Sequence, residues 1–256
     1  MLHKAMEVFR LFTAQRKEIG VVEAAELLER PKSSVSRCLS AMHAAGFLDR
    51  SDGGRYRISM QVAALGEMAK QSTSLQRSAR PVLERLTAAT GETSNLTVLA
   101  DGEAVNVEAV ESPRPVMHMG YVGRRFPLHA SAAGKVLLAW WPGAEPEVPL
   151  VRCTPATITD PEALRAELDR VRAAGYAVNW MELERDLVAV AAPVRDHRGE
   201  LVAAISISAP ASRVSRATLA EACGSVVEAA LHLSRALGCP EPPPLQRTSR
   251  VAAIPL

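Results

Sequence analysis

The densest group of side chains able to bind another molecule lies between residues 30 and 59, in the segment RPKSSVSRCLSAMHAAGFLDRSDGGRYRIS. Six basic and two acidic residues occupy positions 30–57, so this stretch is locally basic although the whole chain has a formal net charge of only +2. Serine hydroxyls and arginine guanidinium groups form hydrogen bonds with the phosphates and base edges of DNA. The stretch therefore has chemistry suited to binding DNA.

A second candidate binding site is the segment FPLHASAAGKVLLAWW, residues 126–141, which is typical of a strand or loop leading into a helix. With Ser131 as the N-cap, the first helical turn has N–H groups without intrahelical acceptors. The positive end of the helix dipole then favours an anion beside the free N–H groups of Ala132, Ala133 and Gly134. Gly134-Lys135 resembles the end of a phosphate-binding loop, but the full G-x-x-x-x-G-K-[ST] pattern is absent, which argues against nucleotide hydrolysis.

Two further hydroxyl groups alternate with apolar residues in the strand-like segment AAISIS. Successive side chains of a strand point to opposite faces, so Ser206 and Ser208 share one face of the sheet. That face could line a polar pocket, or it could be an exposed sheet surface on which serines are merely tolerated.

The cysteines and histidines show no spacing typical of catalysis or metal binding. The cysteines are scattered along the chain: Cys38, Cys153, Cys223 and Cys239. They form no C-x-x-C pair, which argues against a disulfide framework and against a zinc site. The histidines considered as catalytic groups, which have no evident Ser/Asp or Cys partner, are His118, His129, His197 and His232. We therefore expect no enzyme activity, no metal and no cofactor.

The basic stretch belongs to a series of three helices and a hairpin in the first 58 residues. Each helix has apolar residues at i, i+3, i+4 and i+7. The third is predicted to begin with Pro31 as its first helical residue and to end at Gly46 as the C′ residue. Two short strands then flank Asp52-Gly53, which favours the positive backbone dihedrals of a tight turn, with Arg55 and Arg57 on the outer face. These are the parts of a winged helix-turn-helix domain.

The helical period separates an apolar stripe on the third helix from a polar face. Because Val35, Cys38, Leu39 and Met42 are expected to point inward, the opposite face, which carries hydroxyl groups and one arginine, could enter the major groove. The residues that we expect to contact DNA are Arg30, Lys32, Ser33, Ser34, Ser36, Arg37, Ser40, Arg55 and Arg57. A protein-interaction domain with solvated serines is the alternative.

The rest of the sequence predicts a linker helix and a second domain. We expect a DNA-binding domain over 1–58, a linker helix over 59–74, an α+β domain over 75–239 and a Pro-rich disordered tail over 240–256. In the second domain, helices flank strand-like runs, including a hairpin at Asp101-Gly102, which indicates a mostly antiparallel sheet. No run approaches the roughly 18 apolar residues that cross a bilayer, so we expect a cytoplasmic protein without membrane contact.

The run VVEAAELLERPKSSVSRCLSAMHAAGFLDRSDGGRYRIS resembles the DNA-binding domain of the IclR-type transcriptional regulators of bacteria. The resemblance continues into the second domain and covers about residues 3–238. It implies an N-terminal winged helix-turn-helix domain, a linker helix and a C-terminal GAF-like effector-binding domain. It also implies homodimers, often paired as tetramers, whose recognition helices read spaced half-sites of a double-stranded DNA operator.

In this family a V/I-S-x-S segment, an A/G-A-G-K helix start and a loop before the strand that here contains AAPV line the effector pocket. By resemblance, the effector contacts are Phe126, Ala132, Ala133, Gly134, Asn179, Ala189, Ser206 and Ser208. Asn179 stands where some members have an acidic residue, and Arg185-Asp186 and Ala189 replace a Pro-Gly and a Cys found in many members. These departures leave the size and polarity of the ligand open.

Together these patterns predict a ligand-responsive, sequence-specific transcriptional regulator, either a repressor or an activator, whose effector is a small organic acid. Aromatic acids and short oxo- or hydroxy-acids both fit. One alternative is a constitutive DNA-binding or interaction protein without a ligand. Another is a small-molecule enzyme with a DNA-binding appendage, which would need a convergent acid/base pair that the sequence does not show.

Overall fold

The computed structural model describes residues 2–13, 16–72, 74–115, 117, 120–141 and 149–239. The chain divides into two compact units, one up to residue 73 and one from residue 74 onward. The expected tail, 240–256, and His118 lie outside the described residues. Each unit encloses apolar side chains of its own.

The first unit combines helices with a small antiparallel sheet of order β1-β3-β2. Its helices are α1 (Leu2–Phe9), α2 (Val21–Leu27), α3 (Lys32–Ala44) and α4 (Met60–Ser72). Its strands are β1 (Glu18–Ile19), β2 (Leu48–Arg50) and β3 (Tyr56–Ile58). The core between α1, α2, α3 and the sheet consists of Val8, Ile19, Ala24, Ala25, Val35, Leu39, Met42, Leu48 and Tyr56. Three helices followed by a hairpin confirm the winged helix-turn-helix architecture.

The sequence predicted the C-terminal end of α3 correctly and its first residue incorrectly. Pro31 is the N-cap residue, with φ −56° and ψ 133°, so its prediction as the first helical residue is wrong. Its carbonyl nevertheless accepts the first helical bonds, from the N–H groups of Ser34 and Val35, as an N-cap carbonyl does. At the other end, Gly46 has φ 79°. The left-handed conformation confirms Gly46 as the residue that ends the helix.

The hairpin after α3 forms as expected, but its turn has a different conformation. The connection spans residues 51–55, and the positive φ occurs at Gly54 (73°) rather than at Asp52 or Gly53. A connection of this length does not need the two consecutive positive φ values of a two-residue turn. Strand β1, which pairs Ile19 with Tyr56, was not predicted, because two residues are too few to show a period.

The second unit is a sheet covered by helices on both faces. Its helices are α5 (Ser74–Thr90), α6 (Ala132–Trp140), α7 (Pro161–Ala174) and α8 (Arg216–Ala236). Its strands are β4 (Thr93–Ala100), β5 (Glu103–Val110), β6 (Arg125–Phe126), β7 (Ala177–Trp180), β8 (Leu187–Arg195) and β9 (Leu201–Pro210). The strand order is β6-β5-β4-β9-β8-β7, and every recorded pairing is antiparallel. The predicted α+β fold is thereby confirmed.

Alternation along the central strands divides the second unit into two cores. Val188 and Val190 of β8 pack with α5 and α8, whereas Ala189 and Ala191 face α6 and α7. The turn between β4 and β5 has positive φ at Asp101 (54°) and Gly102 (78°), which confirms the predicted hairpin. Small alanines on the α6 side leave space between the helix and the sheet.

Candidate DNA interface and ligand cavity

The polar face of α3 is exposed, as its helical period predicts. Val35, Leu39 and Met42 of the apolar stripe are buried in the core of the first unit, and Cys38 is half-buried against it. The opposite side carries exposed Ser33, Arg37 and Ser40, and half-buried Ser34 and Ser36 lie on its flanks. This face has the hydrogen-bonding groups and the narrow profile that fit a major groove.

Of the two basic residues at the start of α3, Arg30 is held by an ion pair and Lys32 is exposed. Arg30 forms an ion pair with Glu7 of α1 at 2.9 Å, which fixes its guanidinium group beside the helix start. Lys32 is the first residue of α3 and is exposed. Pro31 supplies no side-chain cap to the first turn, so the N–H groups there suit a phosphate oxygen.

The wing carries Arg55 and Arg57 in different environments. Arg55 pairs with Glu23 of α2 at 2.6 Å and donates to the carbonyl of Glu18 at 3.0 Å. The hydrogen bond from Arg55 lowers the pKa of Glu23 below its ordinary value. Arg57 lies 3.9 Å from Asp49, and its side chain is 56% exposed. Arg55 therefore braces the wing against α2, and Arg57 is the more accessible cation for a phosphate.

In the second unit, seven of the eight predicted effector contacts surround one cavity. They are Phe126, Ala132, Ala133, Asn179, Ala189, Ser206 and Ser208. Ser206 and Ser208 are 5% and 8% exposed, which rules out the interpretation of an exposed sheet surface. The space between the lining atoms, including its open mouth, is about 390 Å³, and it is narrow enough to hold little more than water. An organic ligand therefore requires side chains at the rim to move.

Gly134 does not line this cavity, and its N–H group is not free as expected. Ser131 is the N-cap of α6, and its Oγ accepts a hydrogen bond from the Gly134 N–H at 3.0 Å. A Cβ atom at position 134 would lie well inside van der Waals contact with the Leu128 carbonyl and the Ser131 Oγ. The prediction of a free N–H group at Gly134 is wrong, because the N-cap that starts the helix uses it. Ala132 and Ala133 are the helix-start residues that reach the cavity.

Replacing Gly134 with alanine is expected to lower the free energy of unfolding by about 1–3 kcal/mol, because the added methyl group overpacks this contact. The matched control is Gly224→Ala in α8, where a Cβ atom meets nothing within 4 Å. That change is expected to raise the free energy of unfolding by about 0.5–1 kcal/mol, the usual gain of alanine over glycine in a helix. Urea unfolding followed by tryptophan fluorescence measures both, and equal effects at the two positions would contradict the packing described for Gly134.

A chain of buried polar side chains crosses the sheet beneath the cavity. The Thr97 hydroxyl donates to Asn106 Oδ1 at 2.8 Å, and Asn106 Nδ2 donates to Asn95 Oδ1 at 3.4 Å. Asn95 Nδ2 in turn donates to the Ser208 Oγ at 3.5 Å. Asn95 and Asn106 line the cavity but were not predicted from the sequence. The signal available was an amide in each of the apolar strands β4 and β5, TSNLTVLA and EAVNVEAV.

The remaining lining residues, which the sequence did not indicate as ligand contacts, are Gly120, Arg124, Ser131, Leu183 and Leu187. Leu183 and Leu187 lie in and after the segment 181–186 that connects β7 to β8. Gly120 packs so closely on Asn95 and Thr93 that a Cβ atom would collide with both side chains. Of the cavity-lining residues that the structure describes, Arg124 alone is charged.

Asn179 connects the start of α6 to the segment 181–186. Its Nδ2 donates to the Ala130 carbonyl at 3.1 Å, and its Oδ1 accepts from the Glu182 N–H at 2.8 Å. The amide is fully buried and forms the cavity wall with both its donor and its acceptor engaged by the protein. Asn179 therefore fixes the geometry of two sides of the cavity.

Lys135, the residue that suggested a phosphate loop, lies in a buried ionic cluster instead. Its side chain is 0% exposed, and Nζ lies 2.8 Å and 3.0 Å from the two carboxylate oxygens of Glu182 and 3.2 Å from Glu167. Burial raises the pKa of Glu182 above its ordinary value, and the Lys135 ammonium opposes that rise. The cluster holds the segment 181–186 against α6 and α7.

The histidines and cysteines of the described part of the chain do not converge. No group of three or more His, Cys, Asp or Glu side chains able to hold a metal ion occurs among the described residues. His129 is buried, and its Nε2 is hydrogen-bonded to the Val151 carbonyl at 2.9 Å. His197 is exposed in the turn before β9. Among the described helices, none is both long and apolar enough to cross a membrane.

Comparison with known proteins gives matches along both units. A family model described as "IclR helix-turn-helix domain" matches residues 1–52, and one described as "Bacterial transcriptional regulator IclR C-terminal" matches residues 68–235. The HTH-type transcriptional regulator XynR of Escherichia coli strain K12 is 34% identical over 245 residues, which cover 93% of this chain and 97% of XynR.

Solved structures agree in fold over nearly the whole chain. A crystal structure described as a putative IclR transcriptional regulator from Silicibacter sp. TM1040 has TM-score 0.80 and 28% identity, covering 94% of this chain and 98% of that one. An IclR homolog from Microbacterium hydrocarbonoxydans, crystallised in complex with 4-hydroxybenzoate, has TM-score 0.74 and 30% identity, covering 92% and 98%.

Proposed function

The chain belongs to the IclR family of bacterial transcriptional regulators, and from that premise we propose that it is a ligand-responsive, sequence-specific DNA-binding regulator whose effector is a small organic acid. The observation that carries the proposal is the cavity of the second unit, in which seven predicted contacts from separate strands and a helix start surround one space. A concave space in which a few polar side chains converge among apolar ones is typical of a small-molecule site.

The DNA-binding half of the proposal assigns α3 to the major groove. Arg37 and Ser40 on its exposed face would contact base edges, and Lys32 with the N–H groups of the first turn would contact phosphates. Arg57 of the wing would add a backbone contact, and Arg55 would keep the wing in place through Glu23. One such helix contacts few base pairs, so the protein acts as a homodimer on spaced half-sites, in the cytoplasm where its operator lies.

The helix α4 supports pairing between two chains. It carries the exposed large apolar side chains Met60, Leu65 and Met68. Exposed apolar side chains grouped on one element are typical of a protein contact. We assign α4 as the linker helix through which two chains pair and which sets the half-site spacing. We also propose that dimers pair into tetramers.

The ligand half of the proposal favours an organic acid. Its oxygen atoms would accept hydrogen bonds from the hydroxyls of Ser206 and Ser208 and from the N–H groups of Ala132 and Ala133, while Phe126 forms an apolar wall. The Microbacterium homolog binds 4-hydroxybenzoate, an aromatic acid, which favours this class over short oxo-acids. The ligand would then shift the protein between DNA-competent and DNA-incompetent conformations.

Ser206→Ala tests the cavity as the effector site. We expect the affinity for the acid that binds best in a panel of aromatic and short oxo-acids to fall about tenfold, since a hydrogen bond to a charged group contributes about 1.5–3 kcal/mol. The control is Ser212→Ala, an exposed serine outside the cavity, which should bind the acid as the wild type does. Isothermal titration calorimetry measures the affinity, and an unchanged value for Ser206→Ala would remove this serine from the site.

A further inference from the structure

Arg124 is held at the rim of the cavity by its backbone. Its carbonyl accepts a hydrogen bond from the Asn106 N–H at 3.0 Å, and the preceding Gly123 N–H donates to the Asn106 carbonyl at 2.7 Å. Asn106 itself lines the cavity, so these two backbone hydrogen bonds place the Arg124 side chain beside the buried amides. That side chain is 18% exposed.

The next residue, Arg125, has the same charge but a different position. It pairs with Asp101 at 3.2 Å and with Glu103 at 3.0 Å, at the turn between β4 and β5, and it does not line the cavity. Phe126, the neighbour of Arg125 in β6, lines the cavity, and successive residues of a strand point to opposite sides, so Arg125 points away from the ligand space.

Glu184 provides the Arg124 guanidinium with a carboxylate from the protein itself. The two side chains form an ion pair, and the Glu184 side chain is 37% exposed. Glu184 lies in the segment 181–186, next to Leu183, which lines the cavity. The ion pair therefore joins two side chains at the rim that must move apart if an organic ligand is to enter the narrow space.

Both ends of the segment 181–186 are held by hydrogen bonds and an ion pair. The Met181 N–H donates to the Leu187 carbonyl at 2.8 Å, the Asp186 carbonyl accepts from the Ala211 N–H at 2.6 Å, and Lys135 and Asn179 bind Glu182. Because these contacts hold the backbone of the segment, Glu184 can leave Arg124 by rotation of its side chain.

We infer that Arg124 binds the carboxylate of the effector and that Glu184 occupies this place until the effector displaces it. The inference rests on the proposed function. A partly exposed ion pair contributes little to stability, so the exchange has a small cost. Inside the cavity a ligand carboxylate can accept two parallel N–H bonds from the guanidinium group, which is the stronger arrangement. The Arg124 guanidinium group thus binds anions in preference to neutral molecules of the same shape.

The test compares three variants of the full chain with two probes of matched shape. The probes are 4-hydroxybenzoate and its neutral analogue 4-hydroxybenzamide, and the variants are Arg124→Gln, Glu184→Gln and the control Arg125→Gln. Calorimetry should show that Arg124→Gln weakens 4-hydroxybenzoate binding at least about tenfold, as expected for a lost charge-assisted pair, while the affinity for the amide hardly changes. Glu184→Gln should strengthen acid binding about threefold, because a competitor is gone. Arg125→Gln should match the wild type.

Three results would overturn the inference. The first is an equal loss of acid and amide binding in Arg124→Gln, which indicates a purely structural role. The second is a loss of acid binding in Glu184→Gln, because the pair would then support the bound state. The third is a wild-type protein whose melting temperature is not raised by 4-hydroxybenzoate at tens of millimolar. The DNA-binding half of the proposed function is measured separately, by operator capture, and can hold when this inference fails.

Discussion

Lys135→Met is expected to lower the free energy of unfolding by about 3–5 kcal/mol, the usual loss when one partner of a buried ion pair is removed. Lys135 is fully buried, and its ammonium group is the cation beside the Glu182 carboxylate. Glu167 also contacts Lys135 but keeps a second partner, Arg170 at 2.6 Å. Removing the ammonium group therefore leaves the Glu182 carboxylate, rather than that of Glu167, without its cation.

Urea unfolding followed by tryptophan fluorescence measures this effect in the second unit alone, because all three tryptophans, at positions 140, 141 and 180, lie in it. The double variant Lys135→Met/Glu182→Gln should recover most of the loss, since it removes the unpaired charge and keeps an acceptor for the Trp180 N–H. A single variant that loses less than about 1 kcal/mol would contradict the assigned role of the cluster.

The pH dependence of the free energy of unfolding of Lys135→Met provides an independent test of the role of the cluster. Burial raises the pKa of Glu182 in the folded protein, and removing the ammonium group takes away the largest influence that opposes this rise. A carboxyl whose pKa is higher in the folded state destabilises the protein above its unfolded pKa, and the penalty disappears as the pH falls. The deficit of the variant relative to the wild type should therefore shrink as the pH is lowered from 7 towards 5.

Arg37→Ala is expected to weaken operator binding more than about tenfold at fixed salt, because a long cation in the middle of the exposed face of α3 is placed to bind a base edge. The operator fragment is the one retained when the protein captures DNA from the genome of its source organism. Fluorescence anisotropy with that fragment and with a scrambled one measures affinity and specificity together. The loss should be larger for the operator than for the scrambled fragment.

Two other arginines serve as comparisons. Arg57→Ala should mainly reduce the dependence of binding on salt concentration, since an accessible wing cation contacts phosphates. Arg165→Ala removes the same charge from an exposed position of α7 in the second unit and should bind DNA as the wild type does. Equal operator binding by Arg37→Ala and the wild type would contradict the assignment of α3 as the recognition helix.

The first unit was largely predictable because its signals are local. The stripe that contains Val35, Leu39 and Met42 follows the helical period, and Gly46 marks a helix end whose left-handed conformation glycine tolerates best. Pro31 is the N-cap rather than the first helical residue, and the positive φ of the hairpin connection lies at Gly54 rather than at Asp52 or Gly53. Both details depend on the hydrogen bonds of the folded chain, which the local sequence does not reveal.

The ligand cavity was only partly predictable because its residues come together through the order of the sheet. Ser206 and Ser208 share a face by simple alternation, and the segment around Ala132 follows from its N-cap. Asn95, Asn106 and Arg124 reach the same space only because β4 lies between β5 and β9, which no local period indicates. The N–H group of Gly134 was wrongly expected to be free, since a local contact, the Ser131 cap, already uses it.

Operator capture in the presence and absence of 4-hydroxybenzoate tests the central claim most directly. Purified protein is incubated with fragmented genomic DNA of its source organism at two salt concentrations, and the retained fragments are sequenced. We expect a spaced, roughly symmetric motif that survives the higher salt and whose recovery changes when the acid is added. Binding that is indifferent to sequence, is lost at the higher salt and does not respond to the acid would contradict it.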